Sequence, residues 1–190
     1  LYEMYMGPLD ASKPWNTDDI VGVFRFLQRA WRLVVDEETG TLTIQDDPNK
    51  DVERSLHRTI AKVGADIEKL AYNTAIASMI EFVNTATNVR CITSDQLQQF
   101  VRILSPFAPH ISQELFTRLG ENNFVCASQW PSFDDAMLVA SSIELPVQIM
   151  GKVRGKITVP VESNAEEVER AALADERIKE CLVGLTIRKI

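Results

Sequence analysis

Residues 49–84 read NKDVERSLHRTIAKVGADIEKLAYNTAIASMIEFVN, and this stretch decides the fold. Nearly all of the residues that recur in it at three- and four-residue steps are apolar, which places them on one face of a helix. They are Leu56, Ile60, Val63, Ile67, Leu70, Ala71 and Thr74. At about 3.6 residues per turn, we predict one helix of roughly ten turns. Its opposite face begins basic and ends apolar, so this helix should be the central member of a helical domain.

A shorter helix is predicted on the N-terminal side. Thr17 followed by Asp18 and Asp19 is typical of a helix start, because a hydroxyl cap and acidic residues favour the positive end of the helix dipole. The helix should extend to about residue 34, with its apolar stripe at Ile20, Val23, Phe24, Leu27, Trp31 and Val34.

Two further helices are predicted after the central one. Ser94 and Asp95 should cap the third, whose apolar positions are Leu97, Phe100, Val101 and Leu104. Pro106 and Pro109 interrupt the pattern. A fourth helix follows, with Ile111, Leu115, Phe116 and Leu119 inside and Gly120 after its end. We expect residues 20–34, 49–84, 95–104 and 108–119 to pack as a bundle that buries Trp31, Ile67, Leu70, Phe100 and Leu115.

The periodicity changes near residue 143. Alternating apolar residues, typical of strands, occur at Ile143, Leu145, Val147 and Ile149 and, more loosely, at Val153, Ile157 and Val159. Ser163 or Asn164 should cap an acidic helix over residues 165–173, followed by a short helix over 175–182 and a strand over 185–190. The order of elements predicts a mainly α protein, with a helical bundle followed by a small α/β (α+β) module that is truncated at its C-terminus.

We divide the chain into four parts on this basis. Residues 1–17 form a connecting segment, 18–133 the bundle, 134–142 a linker and 143–190 the small module. The chain does not begin with Met, and we expect it to be part of a longer protein. No apolar run reaches the roughly 18 residues of a membrane span, and no signal peptide is apparent. Three widely spaced cysteines argue against a disulfide framework and fit a reducing cytoplasm.

The sequence contains no recognisable catalytic set of residues. The eight glycines form no phosphate-binding loop, and neither His57 nor His110 has partners at metal-ligand spacing. We therefore predict no catalytic, cofactor-binding or metal-binding residue. The net charge of −7 argues against general coating of nucleic acid but leaves room for a local basic face.

Basic residues are grouped in three places. One group lies on the first long helix, one on the central helix and one at a glycine-flanked turn; together they are Arg25, Arg29, Arg32, Arg54, Arg58, Lys62, Lys152, Arg154 and Lys156. Acidic residues of neighbouring elements could balance the two helical groups, and the third could be a solvated hairpin. The alternative interpretation is that all three contact phosphates. Strand alternation would put Lys152, Arg154 and Lys156 on one side of the sheet.

Several short motifs carry a family resemblance. PL at 8–9, KPWN at 13–16, RFL at 25–27 and WRL at 31–33 resemble the segment that follows the catalytic core in bacterial leucyl-tRNA synthetase. LHRTI at 56–60 and NTAIA at 73–77 are similar to its long anticodon-domain helix. SPFAPH at 105–110 with EL at 114–115 is shared with the isoleucyl and valyl enzymes. VQ at 147–148 and GKVRGKI at 151–157 resemble a stretch particular to the leucyl enzyme.

This resemblance implies the C-terminal part of a class I synthetase that attaches leucine to tRNA(Leu) with ATP. It implies an anticodon-binding helical bundle (class Ia) and the start of a C-terminal tRNA-binding domain. The family's ATP-site signatures are absent, so the chain alone should be inactive, and ATP with Mg would serve the full-length enzyme. The implied partners are tRNA(Leu) and the catalytic and editing domains of the same chain, in a cytoplasmic monomer. The alternative is a non-catalytic protein-interaction module with the same helical-bundle fold.

Overall fold

The structure is a computed structural model that describes residues 1–139, 142–149, 151–160 and 163–182. Its contacts divide the chain into two compact units, Leu1–Leu138 and Val139–Ile190. The first unit is helical, and the second combines a β-hairpin with two helices. The predicted fold class, mainly α with a small α/β module, is confirmed. The strand predicted over residues 185–190 lies outside the described residues.

The first unit contains seven α-helices among the described residues: α1 (Tyr2–Tyr5), α2 (Ile20–Arg32), α3 (Lys50–Glu68), α4 (Tyr72–Val89), α5 (Ser94–Leu104), α6 (Pro109–Arg118) and α7 (Asp135–Leu138). A 3-10 turn, Val125–Ala127, follows α6. Helix α4 packs against α1, α2 and α3, while α5 packs against α3 and α6. The centre of the bundle is therefore the antiparallel pair of α3 and α4.

The prediction of one ten-turn helix was wrong, because residues 49–84 form two helices. Leu70 has φ 57°, which is left-handed backbone that ends α3. The N–H of Leu70 donates to the carbonyl of Ile67 (3.0 Å), and that of Ala71 donates to the carbonyl of Asp66 (2.8 Å). This pair of bonds is a Schellman motif, which usually has glycine at the left-handed position. Leu70, predicted to be buried, is consequently 56% exposed at the turn.

Helix α6 ends with the same pair of bonds. The N–H of Gly120 donates to the carbonyl of Thr117 (3.0 Å), and that of Glu121 donates to the carbonyl of Phe116 (3.2 Å). Here the left-handed residue is Gly120, with φ 92°, as the sequence predicted. Helix α5 begins at a capping box made by Thr93 and Gln96, one residue before the predicted cap.

The buried stripe of α2 agrees only in part with the predicted one, of which Val23 and Val34 are buried. Val23, Phe26 and Ala30 are buried, whereas Phe24 is 60% exposed and Ile20 44% exposed. Ala30 is small, so its face lets a neighbouring helix approach closely, and this favours the stripe that contains it. Besides Leu70, four residues were predicted to be buried. Phe100 and Leu115 are fully buried, while Trp31 and Ile67 lie at the edge of the core.

The second unit is built on an antiparallel hairpin of β1 (Ser142–Ile149) and β2 (Lys152–Pro160). Two helices cover it, α8 (Ala165–Ala174) and α9 (Glu176–Leu182). Asn164 caps α8 through a capping box with Glu167. A core of Ile157, Val159 and Ala172 lies between the hairpin and α8. A Cβ on Gly155 would lie 2.7 Å from Cδ1 of Ile178, so glycine allows α9 to approach the hairpin closely.

Candidate nucleic-acid interface

The basic group on α2 comprises Arg25, Arg29 and Arg32, which follow one another at helical spacing along one side of the helix. Arg25 is exposed, and Arg29 is half-buried. Arg32 donates from Nε to Oε2 of Glu37 at 2.8 Å, and both side chains are about half exposed. Within the described part of the chain, no carboxylate forms an ion pair with Arg25. Arg25 is therefore the cation of this group that is best placed to meet a phosphate.

Lys62, in the group on α3, is bound to a buried acid. Its Nζ donates to Oδ1 of Asp66 at 2.6 Å, and the Asp66 side chain is only 6% exposed. The Thr74 hydroxyl donates to the other oxygen of this carboxylate at 2.5 Å. A buried carboxylate needs such partners, because an unpaired charge in the interior is costly. Lys62 thus compensates a structural charge beside the turn between α3 and α4.

The other two cations of α3 differ in exposure. Arg58 is exposed, and Arg54 is half-buried. Arg54 lines a groove of about 730 Å³ between the N-terminal ends of α3 and α5. Acidic residues line the same groove, namely Asp46, Glu53 and Asp95. The groove thus has mixed charge, whereas Arg58 offers a positive charge directly to solvent.

The third basic group, Lys152, Arg154 and Lys156, belongs to the β-hairpin. Its three side chains were predicted to lie on one side of the sheet, and the strand pairing contradicts this prediction. Lys152 pairs with Ile149, and Lys156 pairs with Pro146. Between these pairs the register shifts, because Gly155 pairs with Val147 but Val153 pairs with Gln148. Arg154 is the extra residue of a β-bulge, and one extra residue reverses the alternation of side chains. Lys152 consequently belongs to the face of Gly155 and Ile157, and Lys156 belongs to the opposite face. All three side chains are exposed.

Only part of one polar network within the first unit is visible in the sequence. His57 contacts Glu53 on its own helix and the backbone of Asp134, 77 positions away in the sequence. The four-residue spacing of Glu53 and His57 is a signal that the sequence does offer. The arrival of Asp134 is a tertiary contact without a local pattern. His110, in contrast, is exposed at the start of α6.

Asp36 organises the turn that follows α2. Its Oδ1 accepts hydrogen bonds from the backbone N–H of Thr39 (2.8 Å), the Thr39 hydroxyl (3.0 Å) and the backbone N–H of Glu38 (2.9 Å). These donors, with the Thr39 N–H first, hold the pKa of the Asp36 carboxyl below its ordinary value of 3.8, against a small opposing effect of burial. The turn positions Glu37, the partner of Arg32.

A metal site would need a different grouping of side chains within the described residues. Histidine, cysteine and acidic side chains do not gather there in any group of three that could hold a metal ion. None of the helices in the described ranges combines the length and apolar character that crossing a bilayer requires.

The family of the chain follows from its sequence. A family model of the anticodon-binding domain of tRNA ligases matches residues 49–169, which is well over half of the chain. The chain therefore belongs to the family of anticodon-binding domains of tRNA ligases. The matched region begins at the N-cap of α3 and ends within α8.

A solved structure is similar over a still longer region. It is the ternary complex of Agrobacterium radiobacter K84 agnB2 LeuRS with tRNA and LeuAMS, with 26% sequence identity and a TM-score of 0.66. The match covers 99% of this chain and 26% of that one, so the chain spans about a quarter of the length of this relative. The resemblance to leucyl-tRNA synthetase that the motifs indicated is confirmed.

Proposed function

We propose that this chain is the tRNA-binding C-terminal region of a leucyl-tRNA synthetase, the class I enzyme that attaches leucine to tRNA(Leu) with ATP. The observation that carries this proposal is the similarity over 99% of the chain to a LeuRS in complex with tRNA. Membership of the anticodon-binding family supports the same role, since its matched region spans both structural units.

The exposed cations indicate how the chain would hold RNA. Arg25, Arg58 and Arg154 are exposed and belong to three different elements, so they can meet phosphates at separated places. Contacts to phosphates fix the position of RNA without reading its bases. We assign Arg25, Arg58, Lys152, Arg154 and Lys156 to phosphate contacts; Arg29 and Arg54 are half-buried, and Arg32 and Lys62 hold carboxylates. Arg29, Arg54, Arg32 and Lys62 therefore contribute less to RNA binding.

The rest of the enzyme would supply the reaction. The catalytic and editing domains belong to the longer chain, where ATP with Mg is bound and leucine is activated. The enzyme is expected to act as a monomer in the cytoplasm. The residues described here position tRNA for that core and take no part in bond formation.

A matched pair of proteins tests this proposal. The product of the complete coding sequence should catalyse leucine-dependent ATP–pyrophosphate exchange and load leucine onto tRNA(Leu). The 190-residue chain, purified free of host synthetase, should do neither. A coding sequence without a class I catalytic core, or a complete product that loads a different amino acid, would refute the assignment.

A second candidate is a protein-interaction module with the same fold. The observation that favours it is the exposed apolar face of α2, where Ile20, Val21 and Phe24 lie within one and a half turns. Surfaces of this kind often mark contacts with other proteins. If the chain does not bind tRNA at low salt, and a Phe24→Asp variant loses a protein partner that wild type retains, this candidate replaces the first.

A further inference from the structure

The segment after the 3-10 turn crosses back over α3, and we call residues 130–138 the strap. The Trp130 indole lies at its start against Gly64, where Nε1 would be 3.5 Å from a Cβ. Helix α7, at its end, packs against α3. Between these two contacts the backbone N–H of Asp134 donates to Nδ1 of His57 at 3.0 Å. The strap is thus fixed to α3 by packing at both ends and by a histidine in the middle.

The partners of His57 define its protonation. Nδ1 accepts from a backbone N–H, so this nitrogen carries no proton. Nε2 lies 3.1 Å from Oε1 of Glu53 and must be the donor of that bond. The His57 side chain is only 14% exposed, which limits access of water to these bonds. The structure therefore requires the neutral tautomer with its proton on Nε2.

The Glu53 side of the network is firmly anchored. Its second carboxylate oxygen accepts a hydrogen bond from Nε2 of Gln96 on α5. Gln96 in turn accepts from the Thr93 N–H (3.0 Å) and donates its own N–H to the Thr93 hydroxyl (3.3 Å), which is the capping box of α5. Glu53 is thus held independently of the strap. A change at Nδ1 would therefore affect the strap and leave the contact between α3 and α5 in place.

We propose that His57 is a proton-sensitive latch for the strap. When the ring takes a second proton from solvent, the new N–H on Nδ1 faces the N–H of Asp134, and two donors cannot bond. Glu53 continues to accept from Nε2 and stabilises the imidazolium. Protonation of the His57 ring should therefore release the strap, because the N–H of Asp134 loses its acceptor.

The charges around the latch include both signs. Glu53, Arg54 and Lys50 belong to α3, Asp95 belongs to α5, and all four line the groove next to Gln96 and Met137. On the strap, the Asp134 carboxylate accepts from the N–H of Ala136 at 2.9 Å and is thereby directed to the start of α7. An imidazolium at position 57 therefore keeps one acceptor, Glu53, and loses the strap backbone. The latch sets the stability of the last segment of the first unit and is independent of whether the chain binds tRNA.

Hydrogen exchange of the Asp134 amide across a pH series tests the latch in the 190-residue chain. In wild type, we expect the protection factor of this amide, corrected for intrinsic exchange, to fall by up to about tenfold when the His57 ring becomes protonated. A change of this size corresponds to the loss of one hydrogen bond. The NMR signals of the His57 ring show at which pH it becomes protonated. Amides of α5 should keep their protection. Unchanged Asp134 protection through the His57 titration would overturn the proposal.

Two substitutions at position 57 distinguish the hydrogen bond made by Nδ1 from the one made by Nε2. His57→Asn places a side-chain oxygen near the position of Nδ1, so Asp134 should stay protected at every pH. His57→Gln reaches the position of Nε2, so it can donate to Glu53 but offers the strap no acceptor, and Asp134 should be unprotected throughout. If both variants show the wild-type pH response, the latch does not reside in His57.

Discussion

The Lys62 ammonium lies 2.6 Å from the carboxylate of Asp66, a residue that is 4% exposed. Lys62 and Arg58 look equivalent in the sequence of α3, but this ion pair gives them different roles. Both side chains are exposed, but Lys62 balances a buried charge, whereas Arg58, one turn earlier, forms no ion pair with the described residues. Their substitution should therefore have different consequences.

Lys62→Ala should lower the free energy of unfolding by about 1–3 kcal/mol, because Asp66 keeps only the Thr74 hydroxyl as a side-chain donor. Arg58→Ala should change it by less than about 0.5 kcal/mol, as is usual for an exposed site. Urea denaturation of the two variants makes the comparison. Equal losses of stability would show that Asp66 does not depend on its lysine.

Leu70 provides a test of the turn between α3 and α4. A left-handed conformation costs a residue with a side chain about 1–2 kcal/mol, so Leu70→Gly should be neutral or stabilising despite the loss of a large apolar residue. Ile76→Ala, at a fully buried position of α4, is the control and should cost about 2–5 kcal/mol. A loss of that size for Leu70→Gly in thermal or urea unfolding would mean that Leu70 is buried.

Gly155 tests the packing of α9 on the hairpin. A Cβ at this position meets the Cδ1 of Ile178, which is 1% exposed, so Gly155→Ala should destabilise the second unit by about 1–3 kcal/mol. Ile178→Val removes that methyl group and should recover part of the loss in the double variant. A double-mutant cycle without coupling between the two positions would show that α9 does not pack there.

Asp36 gives a prediction about pH. Its pKa is lowered in the folded chain, so its hydrogen bonds stabilise the turn above the ordinary value of 3.8. That contribution is lost as the pH falls through the lowered folded value. In an NMR titration the Asp36 carboxyl carbon should have its midpoint below 3.8, and the Asp36→Ala variant should lose protection of the Thr39 amide. A midpoint at or above the ordinary value would contradict the hydrogen-bonded turn.

Much of the bundle could be predicted because its signals are local. The core positions of α5 follow from helical spacing, and the end of α6 follows from Gly120, the residue that tolerates positive φ most easily. The end of α3 could not be predicted, because Leu70 adopts the same conformation without a glycine to mark it. The stripe of α2 was ambiguous, since Phe24 and Phe26 both fit an apolar face and only the neighbouring helices select one.

In the candidate interface too, some features could be predicted from local sequence and others depend on tertiary contacts. Spacing identified the basic residues, but their partners come from other turns and elements, as with Lys62 and Asp66 or Arg32 and Glu37. The bulge at Arg154 depends on cross-strand register, which a single strand sequence does not contain. It changes the expectation for RNA, because Lys152 and Lys156 on opposite faces cannot both lie along one straight phosphate backbone.

The salt dependence of tRNA(Leu) binding by the 190-residue chain tests the central claim most directly. Each phosphate contact contributes roughly 0.7–0.9 to the slope of log K against log salt. Arg25→Ala with Arg58→Ala should weaken binding and flatten the slope by about 1–2 units. The Lys152, Arg154 and Lys156 triple alanine variant removes three contacts and should flatten the slope by about 2–3 units. Arg118→Ala, whose guanidinium is held by Glu114 and stacks on Trp31, is the control and should leave the slope unchanged. Wild-type binding that does not depend on salt, or equal effects of all three changes in folded proteins, would contradict the account.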